Sequence, residues 1–208
     1  PSRTEAPLAG VTILDLGTMF AGPFGATLLT DLGARVFKIE ALTGDPIRMA
    51  QPFPEAAGVK VMQGKDSIAL DITKPEGTAI LHELAKRADL CMISFRPDVA
   101  RRHGFDEDTL RAINPKIVIV YAPGYAVEGP YSERPALAPT IGAAAGMARR
   151  NLGTSLPDGP DLTNDEVKEY GRRIYGANTV VSAQSDGFGA LGVATALMLG
   201  LIARHRLG

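Results

Sequence analysis

Five features of the chain carry residue types and spacings that could do chemistry. Arg96, Arg101, Arg102 and His103 cluster just past a β-rich run. A guanidinium suits phosphate because its planar fork donates two parallel hydrogen bonds; the same cluster also reads as one solvated helix face. Lys65 precedes another β-rich run, where its ammonium could reach a pyrophosphate or simply point into solvent. Phe20-Ala21-Gly22-Pro23 lies where a helix should begin beside the carboxyl end of a strand. Exposed N–H groups and the helix dipole at such a place can hold an anion or a carbonyl oxygen, and a tight strand-to-helix turn accounts for it too. Gly124-Tyr125-Ala126-Val127-Glu128-Gly129-Pro130-Tyr131 is a glycine-bounded loop that would let backbone approach a ligand closely, or a plain turn. Asp186 stands at the head of a long apolar stretch, as an N-cap would.

Several generic sites are missing from the sequence. The turn after the first β-rich run is Gly17-Thr18-Met19-Phe20-Ala21-Gly22-Pro23, not G-x-G-x-x-G, which argues against a dinucleotide fingerprint. Neither a Walker A loop nor a G-x-S-x-G elbow occurs. His82, His103 and His205 lie far apart without ligand spacing, so no metal is expected. Net charge is −1, which removes any bulk electrostatic case for nucleic acid or an anionic membrane. Cys91, the single cysteine, excludes an internal disulfide, fits a reducing, cytoplasmic setting, and sits in an apolar run as a core residue.

The elements that would position these groups follow from periodicity. Strands are expected at Val11–Leu16, Ala34–Ile39, Ser67–Asp71, Leu90–Ser94 and Ile117–Tyr121. Helices are expected at Gly22–Leu32 with Gly33 as its C-terminal cap, from Pro75 to about Arg87, at Asp98–His103 and at Asp106–Ile113. Residues 41–64, rich in Pro and Gly, read as a long loop. Continuous apolar strands separated by helices give an α/β fold, a Rossmann-like parallel sheet with helices on both faces. Such sheets bind ligands at the carboxyl ends of their strands. Further on, Thr140–Ala148 reads as a small-residue helix, Gly153–Pro160 as a loop, Leu162–Arg173 as a short charged helix, and Asp186 as the start of a long apolar helix, buried rather than membrane-spanning. The expected division is 1–150 for the Rossmann-like part, 151–185 for an irregular or inserted segment, and 186–208 for a long helix leading towards a further, C-terminal half. A chain of 208 residues, 45% hydrophobic and 22% charged, without an initiator Met, fits one such globular part of a longer protein.

Many short motifs occur in one order: Leu8-Ala9-Gly10-Val11, Leu14-Asp15-Leu16, Ala21-Gly22-Pro23, Leu29-Thr30-Asp31-Leu32-Gly33-Ala34, Val36-Phe37-Lys38-Ile39-Glu40, Gly44-Asp45-Pro46-Ile47-Arg48, Gly64-Lys65-Asp66-Ser67, Phe95-Arg96-Pro97 and Gly129-Pro130-Tyr131. In this the chain resembles the family III CoA-transferases, the CaiB/BaiF group that includes formyl-CoA transferase, carnitine CoA-transferase and α-methylacyl-CoA racemase. The likeness covers about residues 8 to 135, resumes at Asp186, and is indistinct over 150–180.

The resemblance implies a CoA-holding Rossmann-like domain acting on acyl-CoA and a carboxylate without metal, in an interlocked homodimer. It implies that Phe20 and Ala21 contact CoA, that Lys65 and Arg102 lie near its phosphates, and that Tyr125 lies near the reacting acyl group; Arg96 and Gly124 are further CoA-binding candidates. The family's transferases use an Asp nucleophile that forms a mixed anhydride with the acyl group. The run that should carry it reads Arg134-Pro135-Ala136-Leu137-Ala138, with Ala138 at the Asp position. The racemase branch uses an Asp at the start of the long helix, which Asp186 fits. Three readings stay open: a transferase using another carboxylate (Asp186, Glu128, Glu133 or one from a partner chain), a non-catalytic CoA-binding or dimer-partner subunit, and a racemase-like isomerase. A Rossmann domain handling NAD is the outside alternative.

Overall fold

The structure is a computed structural model that describes residues 5–49, 54–152 and 161–207, and for 54–57, 148 and 177–183 the backbone alone. Five strands, β1 (Thr12–Leu16), β2 (Arg35–Glu40), β3 (Lys65–Ala69), β4 (Leu90–Ile93) and β5 (Val118–Tyr121), form one sheet in the order β3-β2-β1-β4-β5. Every pairing is parallel, with Ile13 opposite Val36 on one side and Leu90 on the other. Among the helices, α1 (Ala21–Thr30) and α2 (Pro54–Met62) come first, followed by α3 (Pro75–Ala85), α4 (Pro97–Arg102), α5 (Glu107–Ile113), α6 (Ala138–Ala144), α7 (Met147–Leu152) and α8 (Asn164–Leu207).

Alternation along the strands builds two cores. Leu14, Leu16, Cys91 and Ile93 face one side with Leu81 of α3, Phe105, and Leu110 of α5. Ile13, Val36, Leu90 and Met92 face the other with Ala26 and Leu29 of α1 and Val193 and Leu197 of α8. Each fully buried Leu or Ile contributes about 1.5–3 kcal/mol over its exposed state. The α1–α8 crossing is close because α1 carries Gly25: a Cβ there would lie 2.7 Å from Val193 Cβ and 2.8 Å from the Ala190 carbonyl. Gly33 closes the α1 connection at φ +97°, a backbone state that favours glycine. Asp106 caps α5, accepting from the Thr109 N–H at 3.2 Å.

Four expectations need correction. The stretch 41–64 is not all loop, because Pro46–Met49 makes a 3₁₀ turn and α2 follows. Asp186 caps no helix, because α8 begins at Asn164 and passes straight through it. The segment expected at Leu162–Arg173 as a separate short helix is the first part of α8, and the loop expected at Gly153–Pro160 lies outside the described residues. The small-residue helix divides into α6 and α7 at Gly146, whose φ is +70°.

Candidate functional site

The carboxyl ends of β1 and β4 meet where the strand order reverses, the position at which open parallel sheets hold ligands. The chain leaves β1 through Gly17-Thr18-Met19-Phe20, and every N–H up to Met19 is taken by a side chain. Gly17 donates to Asp15 Oδ1 at 2.9 Å, Thr18 to Ser94 Oγ at 3.0 Å and Met19 to Asp45 Oδ1 at 3.0 Å. Lys38 Nζ donates to the Gly17 carbonyl. Met19 is held at φ +64°, unusual for a non-glycine residue, and these contacts hold it there. Beyond it, α1 starts without a side-chain cap; Pro23 has no N–H and the Phe24 N–H is taken by the Phe20 carbonyl at 2.7 Å, so Ala21 and Gly22 carry the open N–H groups of that turn.

Behind the loop lies a buried ionic network. Lys65 Nζ donates to Asp15 Oδ2 at 2.7 Å and to the Pro23 carbonyl at 2.6 Å. Lys38 Nζ lies 3.0 Å from Asp45 Oδ2 and 3.9 Å from Asp15 Oδ1. Glu40 takes a bidentate Arg48 at 2.8 and 2.6 Å, the Ser67 hydroxyl at 2.5 Å and the Asp45 N–H at 2.8 Å. Asp15, Glu40 and Asp45 balance Lys38, Arg48 and Lys65, as buried charge must be balanced. The Arg48 guanidinium, with Ser67 and the Asp45 N–H, holds the Glu40 carboxyl down at about 2 despite its burial. Burial draws the Lys65 ammonium below its ordinary value, and Asp15 opposes that.

Two cavities flank the loop. The first, about 520 Å³, lies over the ends of β1 to β4 and is lined by Thr18, Leu42, Asp45, Ile72, Phe95 and His103 among others. The second, about 390 Å³, brings Ala21 and Gly22 of α1 together with Gly124, Ala138, Ser185 and Asp186. The Asp186 carboxyl is half-buried, has no hydrogen-bond or ion-pair partner among the described residues, and is pushed up by burial.

The sequence candidates fall in different places. Ala21, Gly124 and Asp186 meet in the second cavity, alongside Ala138. Phe20 packs on Phe24, ring centroids 5.1 Å apart, and Tyr125 on Tyr131 at 5.5 Å; neither ring lines a cavity. Arg96 Nη1 donates to the Glu133 carbonyl at 2.9 Å, tying the β4 loop to the β5 loop. Arg102, 64% exposed, donates to Asp98 at 2.8 Å, one residue from His103 of the first cavity. Lys65 is the displaced candidate: its side chain is 1% exposed, and its ammonium serves Asp15 and Pro23 rather than solvent. The network residues Asp15, Lys38, Glu40 and Asp45 were given no role from sequence. The available signal was a charge inside an apolar strand run, as in Leu14-Asp15-Leu16 and Phe37-Lys38-Ile39, which buried strands carry only when it is paired.

The outside alternative, NAD, has one feature in its favour, an acidic residue at the end of β2, where dinucleotide folds bind the ribose. That residue is Glu40, and both its oxygens are consumed by Arg48, Ser67 and Asp45. Comparison with known proteins decides the kinship. The family model for CoA-transferase family III matches residues 8–208. The chain belongs to CoA-transferase family III. An acetyl-CoA:oxalate CoA-transferase of Acetobacter aceti is 35% identical to this family III chain over 164 residues, 77% of the chain and 41% of the relative. The beta subunit of a succinyl-CoA–L-malate CoA-transferase of Chloroflexus aurantiacus is 33% identical over 190 residues, 88% of the chain and 46% of the relative. Among solved structures, a CaiB/BaiF family protein from Brucella suis superposes with a TM-score of 0.77 at 27% identity, covering 98% of this chain and 51% of that one. The chain thus spans about half the length of the relatives it matches.

Proposed function

We propose that this chain is the CoA-holding part of a transferase that moves CoA between an acyl-CoA thioester and a carboxylate. The observation that carries this reading is the second cavity, where the uncapped start of α1, the Gly124 loop and the Asp186 carboxyl converge. The nucleotide end of CoA would occupy the first cavity, beneath His103, with Arg102 at its rim free to exchange Asp98 for a phosphate. The β1–α1 loop would pass the thiol end over Phe20 and Ala21 to the second cavity. There the first-turn N–H groups of α1 would hold the thioester oxygen as negative charge develops on it. Asp186 would attack the carbonyl carbon, giving a mixed anhydride as the C–S bond breaks and the thiolate departs with its electron pair. The returning thiolate would displace the acyl carboxylate and leave the Asp186 thioester, from which the second carboxylate takes over CoA by the reverse steps. Gly124 and Tyr125 would border the reacting acyl group, and Arg96 would brace that loop through Glu133. Lys65 acts from behind, through Asp15 and Pro23.

A second copy of the chain is the partner this reading expects, in an interlocked homodimer. Phe188, Leu191, Leu199 and Ile202 recur at helical spacing along α8 and are exposed, an apolar face suited to such packing.

A second reading rests on Ala138. An alanine where the family's nucleophile is expected suits a CoA-binding subunit that leaves the chemistry to another chain, and two of the relatives are named as alpha and beta subunits of one transferase. Transfer of CoA from butyryl-CoA to labelled acetate separates the two. Turnover by the chain, lost in Asp186→Asn, supports the first. No turnover by the parent, with turnover gained in Ala138→Asp, supports the second. Exchange of the butyryl α-hydrogen with solvent deuterium without CoA transfer would instead indicate an isomerase.

A further inference from the structure

We infer that the cavity beside Asp186 takes an uncharged aliphatic acyl group and rejects one that carries a second carboxylate. The inference rests on the proposed reading, in which the acyl end of the thioester enters this cavity, and it names the substrate class. The walls are Val120, Ala122, Pro123, Ile141, Val193 and Ala196, with the glycines Gly22, Gly124, Gly189 and Gly192 between them. At Gly192 the room is real, since a Cβ built there meets nothing within 4 Å. Among the described residues lining the cavity there is no Lys, Arg or His. Among those described residues the ionisable side chains are Asp186 and Tyr121, and the Tyr121 hydroxyl is already engaged by the Glu107 N–H at 2.8 Å.

A terminal carboxylate entering this space would lose its water without finding a cation, and would meet the like charge of Asp186. The wall already resists negative charge, because burial raises the Asp186 carboxyl itself. An aliphatic tail carries no such cost and gains by leaving water. This sets the chain apart from relatives named for oxalate, malate and glutarate, whose acyl or acceptor groups are dicarboxylic. At Ala138 the wall offers a methyl group where the family resemblance calls for a carboxylate, which adds to the apolar surface.

The test is calorimetric titration of the chain with CoA, hexanoyl-CoA and succinyl-CoA. Hexanoyl-CoA should bind about tenfold or more tightly than CoA, the scale on which apolar pockets discriminate between aliphatic groups. Succinyl-CoA should bind no more tightly than CoA. Gly192→Leu, which fills the space, should erase the gain of hexanoyl-CoA over CoA; Ala138→Leu, on a half-buried position, serves the same purpose if the first variant fails to fold. Ala138→Arg, which supplies a cation, should raise succinyl-CoA affinity above that of CoA. Succinyl-CoA binding the parent as tightly as hexanoyl-CoA, or a hexanoyl gain that survives both filling variants, would overturn the inference while leaving the CoA reading intact. Absence of CoA binding to the folded chain would overturn the proposed function, and the inference with it.

Discussion

Replacing Lys65 by methionine separates a structural cation from a ligand contact. The Lys65 ammonium is 1% exposed and makes two short bonds, to Asp15 Oδ2 at 2.7 Å and to the Pro23 carbonyl at 2.6 Å. Methionine matches the length of the lysine stem but not its charge. Without the ammonium, Asp15 (0% exposed) keeps the Gly17 N–H at 2.9 Å and has Lys38 at 3.9 Å as its nearest cation. Removing one partner of a buried ion pair costs about 3–5 kcal/mol. For a chain of this size each kcal/mol lowers the melting temperature by about 2–4 °C, so the variant should melt roughly 6–20 °C below the parent. Circular dichroism on heating, with urea titration for the free energy, reads this directly. Adding Asp15→Asn to Lys65→Met removes the stranded charge and should recover part of the loss, because the two changes share one interaction. A single variant within about 1 kcal/mol of the parent would refute the assignment, since that is the range of an exposed pair. Unchanged stability with weakened CoA binding would make Lys65 a ligand contact instead.

Other consequences follow from the same geometry. The Glu40 carboxyl, held at about 2 against an ordinary 4.5, contributes stability that is complete above pH 4.5 and is lost as pH falls towards 2; in Glu40→Gln that part of the acid-unfolding profile should flatten. Asp186 has the opposite sign: its pKa is raised above the ordinary 3.8, so its charged form opposes folding once pH exceeds that value. Asp186→Asn should therefore be more stable than the parent at neutral pH, with the difference vanishing below pH 3.8 on a urea series across pH. Gly25→Ala should loosen the α1–α8 crossing, where the new methyl would lie 2.7 Å from Val193 Cβ and 2.8 Å from the Ala190 carbonyl. The cost is about 1–3 kcal/mol by denaturant titration.

The parallel sheet was legible because β1, β4 and β5 are short apolar runs with turn residues on either side, and both faces of such strands have to be covered. The motif order made the family legible as well. Helix α2 was hidden by Pro54 and Gly58, which read as loop, although Pro54 is its first residue. The length of α8 was hidden in the same way by Gly171, Gly176, Gly187 and Gly189, which lower helix propensity locally. Packing against α1, α6, α7 and β5 supports the later part of the helix, where Gly189 lies against Ala21 of α1, whereas residues 164–176 are almost wholly exposed. Lys65 looked like a surface lysine because its partner, Asp15, lies on another strand, and no local pattern records that pairing. Ala138 and Asp186 were each singled out, but that they share one cavity depends on α6 packing on α8, a tertiary contact.

The most direct measurement is calorimetric titration of the chain with CoA, with NAD as the control. We expect CoA to bind and NAD not to, with CoA binding weakened in Arg102→Ala, since Arg102 stands beside the cavity that should take the phosphates while Glu40 is unavailable to a ribose. Binding of NAD in preference to CoA by the folded chain would contradict the account at its centre.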